Sequence, residues 1–331
     1  MKVVVTGATG LIGSNLVKYY LKNTDAKIVA VGHSAVKMKK VFWEYIDSPN
    51  FDFVLQDLSV PCDFERVTSQ KFHVPADYIF HAAGSAEQSV INKHPSLILK
   101  PNLLGLFSIL DSIKNKETRC IIFSSVTVYG NNSCASDLVV SEDDLLPALD
   151  LNNPYAAYFE TKKMQEVITN AYIREKQINA IIVRPSTVYG YTTISPNSAF
   201  YSFLEKAKNN ENFELNKSGL PRRDNIYIDD IVLGLLTVAS KGKCGEVYNI
   251  SSDGFGGNFV AIDEIAEKIS SIANTKYGCN IKVSFKEEKR NNRLSGIRLN
   301  CDKLKALGWA PSFSLEKGIE ETISNYFEKS K

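Results

Sequence analysis

The first thirteen residues constrain the fold of this chain more strongly than any other segment. The uninterrupted, β-branched run Lys2–Thr6 predicts a buried strand of a parallel sheet. Gly7, Gly10 and Gly13 follow, and an apolar periodicity through residues 16–21 then predicts a helix. In such a unit Gly7 permits a tight turn, Gly10 lets the backbone approach a pyrophosphate, and Gly13 brings helix and sheet together. The pattern indicates a dinucleotide-binding turn, the alternative being a glycine-rich turn without a ligand.

Strand and helix patterns alternate over the first half of the chain. The predicted strands are Val3–Thr6, Lys27–Val31, Phe53–Gln56, Tyr78–His81, Cys120–Ser124 and Ala180–Arg184. This alternation is typical of α/β proteins with a doubly wound parallel (Rossmann) sheet, whose ligands bind beyond the carboxyl ends of the strands. We expect residues 1–185 to form this dinucleotide-binding domain, with about 224–250 returning to it. Residues 186–331 are expected to form mainly a smaller, mixed α/β C-terminal domain that binds the substrate.

Tyr158 and Lys162 are the main candidates for catalytic chemistry. Four residues apart on a helix predicted from Tyr155 to about Glu175, they lie on one face. A phenol is a poor base at neutral pH, but a nearby ammonium stabilises its phenolate and lowers its pKa. Together with a further hydroxyl, such as that of Ser125, the pair suits proton transfer to or from a sugar or alcohol hydroxyl. The spacing alone is also compatible with an ordinary surface pair.

The composition is that of a globular enzyme. The chain of 331 residues is long enough for one large core or two domains, and its net charge of +2 gives no reason to expect nucleic-acid or membrane binding. No apolar run approaches the ~18 residues of a membrane-spanning helix, and the first strand leaves no room for a signal peptide. The six cysteines and four histidines are scattered, so we expect no metal, and free thiols in a reducing, cytoplasmic compartment.

Ordered motifs along nearly the whole chain are similar to those of one known family. Besides the glycine turn, Ser125, Tyr158 and Lys162, they are Asp57-Leu58, His81-Ala82-Ala83-Gly84, Asn102 within residues 100–105, Ser124–Gly130, Arg184–Gly190, Arg223–Asp230, Tyr248–Ile250 and Leu307–Pro311. The chain resembles an extended short-chain dehydrogenase/reductase of the nucleotide-sugar epimerase/dehydratase type. The resemblance implies that Tyr158 exchanges the substrate proton, that Ser125 shares the hydrogen bond to the substrate oxygen, and that Lys162 binds the nicotinamide ribose.

The resemblance also implies the remaining binding residues. Those expected to bind the cofactor are Gly7, Thr9, Gly10, Leu11, Ile12, His33, Ser34, Lys37, Asp57, Leu58, Ala82, Ala83, Gly84, Asn102, Ser124, Tyr158, Lys162 and Pro185. Those expected to bind a nucleotide-diphosphate sugar are Ser85, Ser125, Thr127, Tyr158, Thr187, Arg223 and Arg293, with the two arginines on the diphosphate. In many family members the helix that carries the tyrosine also meets a partner subunit, so a homodimer is expected.

The segment after the second strand bears on the choice of cofactor. A site that prefers NAD places an acid about 20 residues past the glycine turn, on the adenine ribose. Here the strand ends at Gly32, followed by His33, Ser34 and Lys37, and none of these repels a 2′-phosphate. We therefore favour NADP over NAD, the alternative being a solvated basic loop. Asp57 is expected to contact the adenine in either case.

The residues after Ser125 bear on the type of reaction. Relatives that dehydrate a sugar place an Asp-Glu pair there, and decarboxylating members retain an acid, because elimination needs a second proton donor or acceptor. Val126 and Thr127 do not ionise, which argues against both reactions. The segment resembles that of C4 epimerases and is compatible with 4-keto-sugar reductases. We lean to a 4-epimerase, with an NADPH-dependent reductase as the alternative.

Three further features qualify this interpretation. Thr187 stands where the family commonly has an asparagine that holds the substrate phosphate. Asp230 resembles an acid–base group but is expected only to cap the following helix. A non-catalytic sensor of dinucleotides is a different class of function, but such relatives typically lose the tyrosine or the lysine, and Tyr158 and Lys162 are both present here.

Overall fold

The computed structural model describes residues 1–84, 88–130, 136–144, 146, 150–216, 221–286 and 296–328. Its strands are β1 (Lys2–Thr6), β2 (Lys27–Gly32), β3 (Phe51–Leu55), β4 (Tyr78–His81), β5 (Arg119–Phe123), β6 (Leu138–Val140), β7 (Asn179–Pro185), β8 (Thr187–Tyr189), β9 (Phe213–Leu215), β10 (Arg223–Tyr227), β11 (Val247–Ile250), β12 (Phe259–Val260), β13 (Val283–Phe285) and β14 (Ile297–Leu299). Its helices are α1 (Leu11–Asn23), α2 (Ala35–Phe42), α3 (Phe64–Thr68), α4 (Gln88–Lys93), α5 (Ser96–Ser112), α6 (Ala156–Lys176), α7 (Ala199–Lys208), α8 (Ile228–Lys241), α9 (Ile262–Tyr277), α10 (Asp302–Lys305) and α11 (Leu315–Glu328).

The main sheet has seven parallel strands in the order β11-β7-β5-β4-β1-β2-β3. Alternate residues of its central strands enter two separate cores. Val3 and Val5 of β1 join one core with α1 and α8, whereas Val4 joins another with α5 and α6. Burial on both faces explains why β1 reads as a continuous apolar run. The predicted doubly wound sheet is confirmed, and all six predicted strands are present with shifts of at most a few residues at their ends.

The chain returns to this sheet late in the sequence. β11 pairs with β7 in parallel register, from Val247 opposite Ile182 to Ile250 opposite Pro185, and α8 directly precedes β11. A smaller mixed sheet of order β12-β10-β14-β6, with β8 also paired to β10, lies outside the main sheet. Only the β10–β12 pairing in it is antiparallel. The side chains of α7, α9 and α11 pack into the same apolar core as one face of the main sheet.

Asp230 does not cap α8, so that prediction is wrong. The helix begins at Ile228 with Tyr227 as its N-cap residue, which places Asp230 inside the first turn. Its buried carboxylate accepts hydrogen bonds from the Ser312 hydroxyl (2.7 Å) and from the backbone N–H groups of Ser312 and Phe313. The acid thus ties α8 to the segment that leads into α11. Across the described part of the chain, no helix is long and apolar enough to cross a bilayer.

Candidate active site

The predicted catalytic hydroxyls come together where β5 ends beside the start of α6. Ser125 follows β5 and caps a 3₁₀ turn, Val126–Tyr129, by accepting the N–H of Thr127 at 3.2 Å. Tyr158 lies in the first turn of α6, which contacts that 3₁₀ turn. Burial raises the pKa of the Tyr158 phenol, and the Ser125 hydroxyl opposes this rise. The structure therefore places Ser125 near Tyr158.

Lys162 lies one helical turn beyond Tyr158 and is buried, with 5% of its surface exposed. Its Nζ donates to the Phe123 carbonyl oxygen at 2.7 Å and to the side-chain oxygen of Gln165 at 2.9 Å. Burial lowers the pKa of this ammonium to about 8, and the nearby Glu166 carboxylate opposes the shift. Lys162 is thus anchored to β5 and to its own helix.

Glu166 and Arg184 connect the segments that carry Ser125 and Tyr158, and the sequence analysis missed this role. The Glu166 carboxylate accepts hydrogen bonds from Arg184 Nε at 2.9 Å and from Arg184 Nη2 at 2.8 Å, and it also accepts the Ser124 hydroxyl. The guanidinium lies over the Tyr129 ring at 4.9 Å. One acid therefore joins α6 to β7 and to the serine that precedes Ser125. The acid four residues after Lys162 and the arginine that opens the Arg184–Gly190 motif were signals present in the sequence.

His81 is a buried, neutral residue beneath this site. Thr6 Oγ1 accepts the N–H of Ala83 and shares a hydrogen bond with His81 Nδ1 at 2.8 Å. Burial, followed by the charge of Lys162, lowers the pKa of His81 to about 3. The Nε2 atom of His81 has no hydrogen-bond partner among the described residues. His81 therefore carries no charge near neutral pH.

The turn after β1 fits a dinucleotide. Gly7 has a φ of +63°, and a Cβ on it would lie 2.8 Å from the backbone of Ala82. A Cβ on Gly13 would lie 2.4 Å from the Gly7 carbonyl oxygen, so α1 starts closely packed on the turn. The first turn of α1 has neither an acid nor a side-chain cap. Its free N–H groups therefore suit a pyrophosphate.

The other predicted cofactor residues lie around the same edge of the sheet. All but one lie at or after the carboxyl ends of the strands: Thr9, Gly10, Leu11 and Ile12 after β1; Leu58 after β3; Ala82, Ala83 and Gly84 after β4; Ser124 after β5; Pro185 at the end of β7. The exception is Asn102, which lies on α5. Asn102 is fully buried, and its Nδ2 donates to Thr161 Oγ1 at 3.2 Å. Its Oδ1 has no partner among the described residues, so it retains a free acceptor at this edge.

The adenosine end of the expected site lies after β2 and β3. His33 and Lys37 are exposed, whereas the Ser34 hydroxyl caps α2 by accepting the Lys37 N–H at 3.4 Å. Asp57 accepts the Ser59 N–H at 2.8 Å. That bond, together with the nearby His33, lowers the pKa of Asp57. His33 after β2 is thus near enough to Asp57 after β3 to affect its carboxyl group.

Three of the seven predicted substrate residues lie around the 3₁₀ turn after β5, and a fourth lies on β8. Ser125 and Tyr158 are near each other, and Thr127 lies in the adjacent 3₁₀ turn with its Oγ1 buried and unpartnered among the described residues. Thr187 begins β8 opposite Asn225 of β10.

The remaining predicted substrate residues are arginines and one serine. Arg223 is exposed at the start of β10, two residues before Asn225, and forms no ion pair within the described ranges. Ser85 and Arg293 lie outside the described residues.

Comparisons with known proteins agree with this geometry. The model of the NAD dependent epimerase/dehydratase family matches residues 3–251. The chain is 28% identical over 330 residues to the low-salt glycan biosynthesis protein Agl12 of Haloferax volcanii, covering 98% of each chain. It is 24% identical to dTDP-glucose 4,6-dehydratase 1 of Escherichia coli, covering 100% of this chain and 94% of that protein.

A solved structure extends the likeness to the whole fold. It is a UDP-glucuronic acid 4-epimerase from Bacillus cereus in complex with UDP-glucuronic acid and NAD, with a TM-score of 0.80, 25% identity and full coverage of both chains. The relatives thus carry out different reactions on nucleotide sugars, and the family alone leaves the reaction open. The family model covers most of this chain, and the chain therefore belongs to the NAD dependent epimerase/dehydratase family.

Proposed function

We propose that this protein oxidises and re-reduces C4 of a nucleoside-diphosphate hexose, and so acts as a 4-epimerase. One observation carries the proposal: the 3₁₀ turn that follows Ser125, and that the Tyr158 helix packs against, contains no acid. A positioned phenol and hydroxyl suit the exchange of one proton with one substrate oxygen. The C4-epimerase neighbour has the same overall fold.

Each residue of the proposed site has a distinct role. Tyr158 accepts the proton of the 4-hydroxyl and later returns it, while Ser125 donates a hydrogen bond to the same oxygen. The Lys162 ammonium favours the phenolate form of Tyr158 through its charge. Glu166 and Arg184 fix the segment that carries Ser125 against the helix that carries Tyr158. Positioned proton transfer of this kind contributes roughly 10²–10⁴-fold to the rate.

A nicotinamide dinucleotide supplies hydride transfer when it is bound. The glycine turn and the first turn of α1 would hold its pyrophosphate, and Asn102 and Lys162 would contact its ribose and nicotinamide end. We propose a preference for NADP over NAD, supported by the absence of an acid from residues 32–40 and by the exposed His33 and Lys37. We also propose that Arg223 binds the substrate diphosphate, in the second domain.

The main alternative is an NADPH-dependent reductase of a 4-keto sugar. The basic segment after β2 favours it, whereas the epimerase-like serine segment favours epimerisation. Dehydratase chemistry needs a further acid, and the nearby Glu160 is paired with Lys163 at 3.1 Å. Glu87, an acid from another segment, lies outside the described residues. A dinucleotide sensor is disfavoured because Ser125, Tyr158 and Lys162 are all present.

We further propose a homodimer formed through α5 and α6, which pack on each other. Their outer faces expose Leu97, Met164 and Val167. The five described cysteines are all unpaired, which supports a reducing, cytoplasmic setting. Size-exclusion chromatography with light scattering tests the dimer, and replacing Val167 with glutamate is expected to give monomers.

A panel of nucleotide sugars tests the reaction. Purified protein is incubated with UDP- and dTDP-hexoses, with and without added NADPH, and the products are identified by NMR. A C4-inverted sugar formed without net consumption of NADPH supports an epimerase. Consumption of NADPH only with a 4-keto sugar supports the reductase. Cofactor binding without turnover of any of these sugars supports the sensor.

A further inference from the structure

Gln165 contacts the proposed catalytic lysine directly, and the mechanism above assigns it no role. It is fully buried on α6, three residues beyond Lys162. Its side-chain oxygen accepts a hydrogen bond from Lys162 Nζ at 2.9 Å, and its side-chain nitrogen donates to the Asn102 carbonyl oxygen at 2.7 Å. An ammonium has only donors and a carbonyl only acceptors. These two partners therefore fix which end of the amide faces the lysine.

The surroundings of Gln165 keep it in this position. Asn102 belongs to α5, so the amide bridges α5 and α6 in the interior. Asn102 is held in turn by its bond to Thr161 on α6. A second acceptor, the Phe123 carbonyl oxygen, binds Lys162 Nζ at 2.7 Å from the side of β5. Two of the three ammonium donors are thus directed to acceptors that cannot remove a proton.

We infer that Gln165 is a positioning residue that keeps Lys162 charged and fixes the direction of its remaining N–H. A buried ammonium that lacked this acceptor would carry an unsatisfied donor and would lose its proton more readily. The inference deepens the proposed function and rests on it only for the catalytic role of Lys162. The contact itself does not depend on the identity of the sugar.

Other charged and titratable groups face Lys162 from several elements. Glu166 on α6 raises the pKa of Lys162, against the larger effect of burial, and Arg184 on β7 pairs with that acid. His81 on β4 is neutral near pH 7, because its pKa is lowered to about 3 by burial and by Lys162. Tyr158 lies one turn earlier on α6, and burial raises the pKa of its phenol. Gln165, like Glu166, favours the charged form of Lys162, but it adds no charge of its own.

The test is a direct titration of Lys162 in the full-length protein, purified with the cofactor it retains. Lysine side chains are labelled with ¹³C, the Lys162 Cε signal is assigned with Lys162→Met, and its shift is followed by NMR against pH. Gln165→Met, which keeps the volume but removes the acceptor, is expected to lower the pKa of Lys162 by about one pH unit or more. Gln165→Glu is expected to raise it. Thr169→Val, on the same helix and without contact to Lys162, serves as the control and leaves it unchanged.

The outcomes separate this inference from the proposed function. A pKa of Lys162 that stays at the wild-type value in Gln165→Met overturns the inference. If that variant does not fold, an unchanged pKa in Gln165→Glu overturns it instead. The titration uses no substrate, so the two opposite shifts would support the inference even if no nucleotide sugar were turned over, in which case the proposed function alone fails.

Discussion

Arg184 donates two hydrogen bonds to the Glu166 carboxylate, from Nε at 2.9 Å and from Nη2 at 2.8 Å. Only 12% of each side chain is exposed. The same carboxylate accepts a hydrogen bond from the Ser124 hydroxyl, next to Ser125. Breaking one side of a buried pair leaves an uncompensated charge, which typically costs about 3–5 kcal/mol. The Arg184–Glu166 pair therefore stabilises the fold and also positions the segment that carries Ser124 and Ser125.

Replacing Arg184 by methionine is predicted to lower the free energy of unfolding by about 3 kcal/mol, because Glu166 is left buried and unpaired. Urea denaturation followed by circular dichroism measures the change. The double variant Arg184→Met/Glu166→Gln should lose less than the sum of the two single changes. Lys163→Met removes a half-exposed pair on the same helix and should stay within about 0.5 kcal/mol of wild type. Strict additivity in the double variant would show that the two residues act independently.

Tyr158→Phe is predicted to reduce turnover by orders of magnitude while cofactor binding remains nearly intact, because only the proton-exchanging hydroxyl is lost. Ser125→Ala should cost less, roughly 10²-fold, the scale of one transition-state hydrogen bond. Steady-state kinetics and calorimetric cofactor titration measure both effects. The matched control is Tyr172→Phe, also on α6, whose exposed hydroxyl donates a hydrogen bond to Asp111 of α5. Full activity in Tyr158→Phe would end the proposed mechanism.

NADP(H) is predicted to bind about tenfold or more tightly than NAD(H), because each charge-assisted contact to the 2′-phosphate contributes about 1.5–3 kcal/mol at best. Calorimetric titration of both cofactors into stripped protein measures the ratio. Lys37→Ala should reduce it, whereas Lys40→Ala, in the last turn of the same helix, should not. Equal or tighter binding of NAD(H) would show that the basic segment faces solvent, and would strengthen the epimerase assignment over the reductase.

The buried His81 is predicted to make the fold less stable in mild acid. Its pKa is lowered to about 3 in the fold, against 6.5 for an unperturbed histidine. Between these values the unfolded chain binds one more proton than the folded chain, so stability falls as the pH drops below 6.5. The slope from this group approaches about 1.4 kcal/mol per pH unit.

Urea unfolding from pH 7 to pH 5 checks this slope. His81→Gln removes the titrating ring and should show a shallower loss of stability, whatever its stability at pH 7. The exposed His73, changed to glutamine, provides the control and should keep the wild-type slope. Identical slopes in wild type and His81→Gln would show that His81 titrates normally in the fold.

Local sequence patterns predicted most of the fold, because strands buried on both faces of the sheet appear in the sequence as continuous apolar runs. The run Lys2–Thr6 and the glycine turn each show their structural role within a few residues. The proximity of Ser125 and Tyr158 was predictable from the resemblance, because both belong to motifs of the family.

Contacts between distant segments were not predictable in the same way. Asp230 was assigned to a local cap, but its partners lie 82 and 83 residues further along the chain. Glu166 and Gln165 read as ordinary helix residues, because their partners Arg184 and Asn102 meet them only once the sheet and α5 have formed.

The most direct test of the central claim uses a nucleoside-diphosphate hexose that carries deuterium at C4. The protein is incubated with labelled UDP- and dTDP-hexoses, and the products are analysed by NMR and mass spectrometry. We predict a C4-inverted sugar that keeps the deuterium at C4 and has unchanged mass, with Tyr158→Phe inactive. A product lighter by one water would instead show that an acid outside the Ser125 turn supports dehydration, and would contradict the claim.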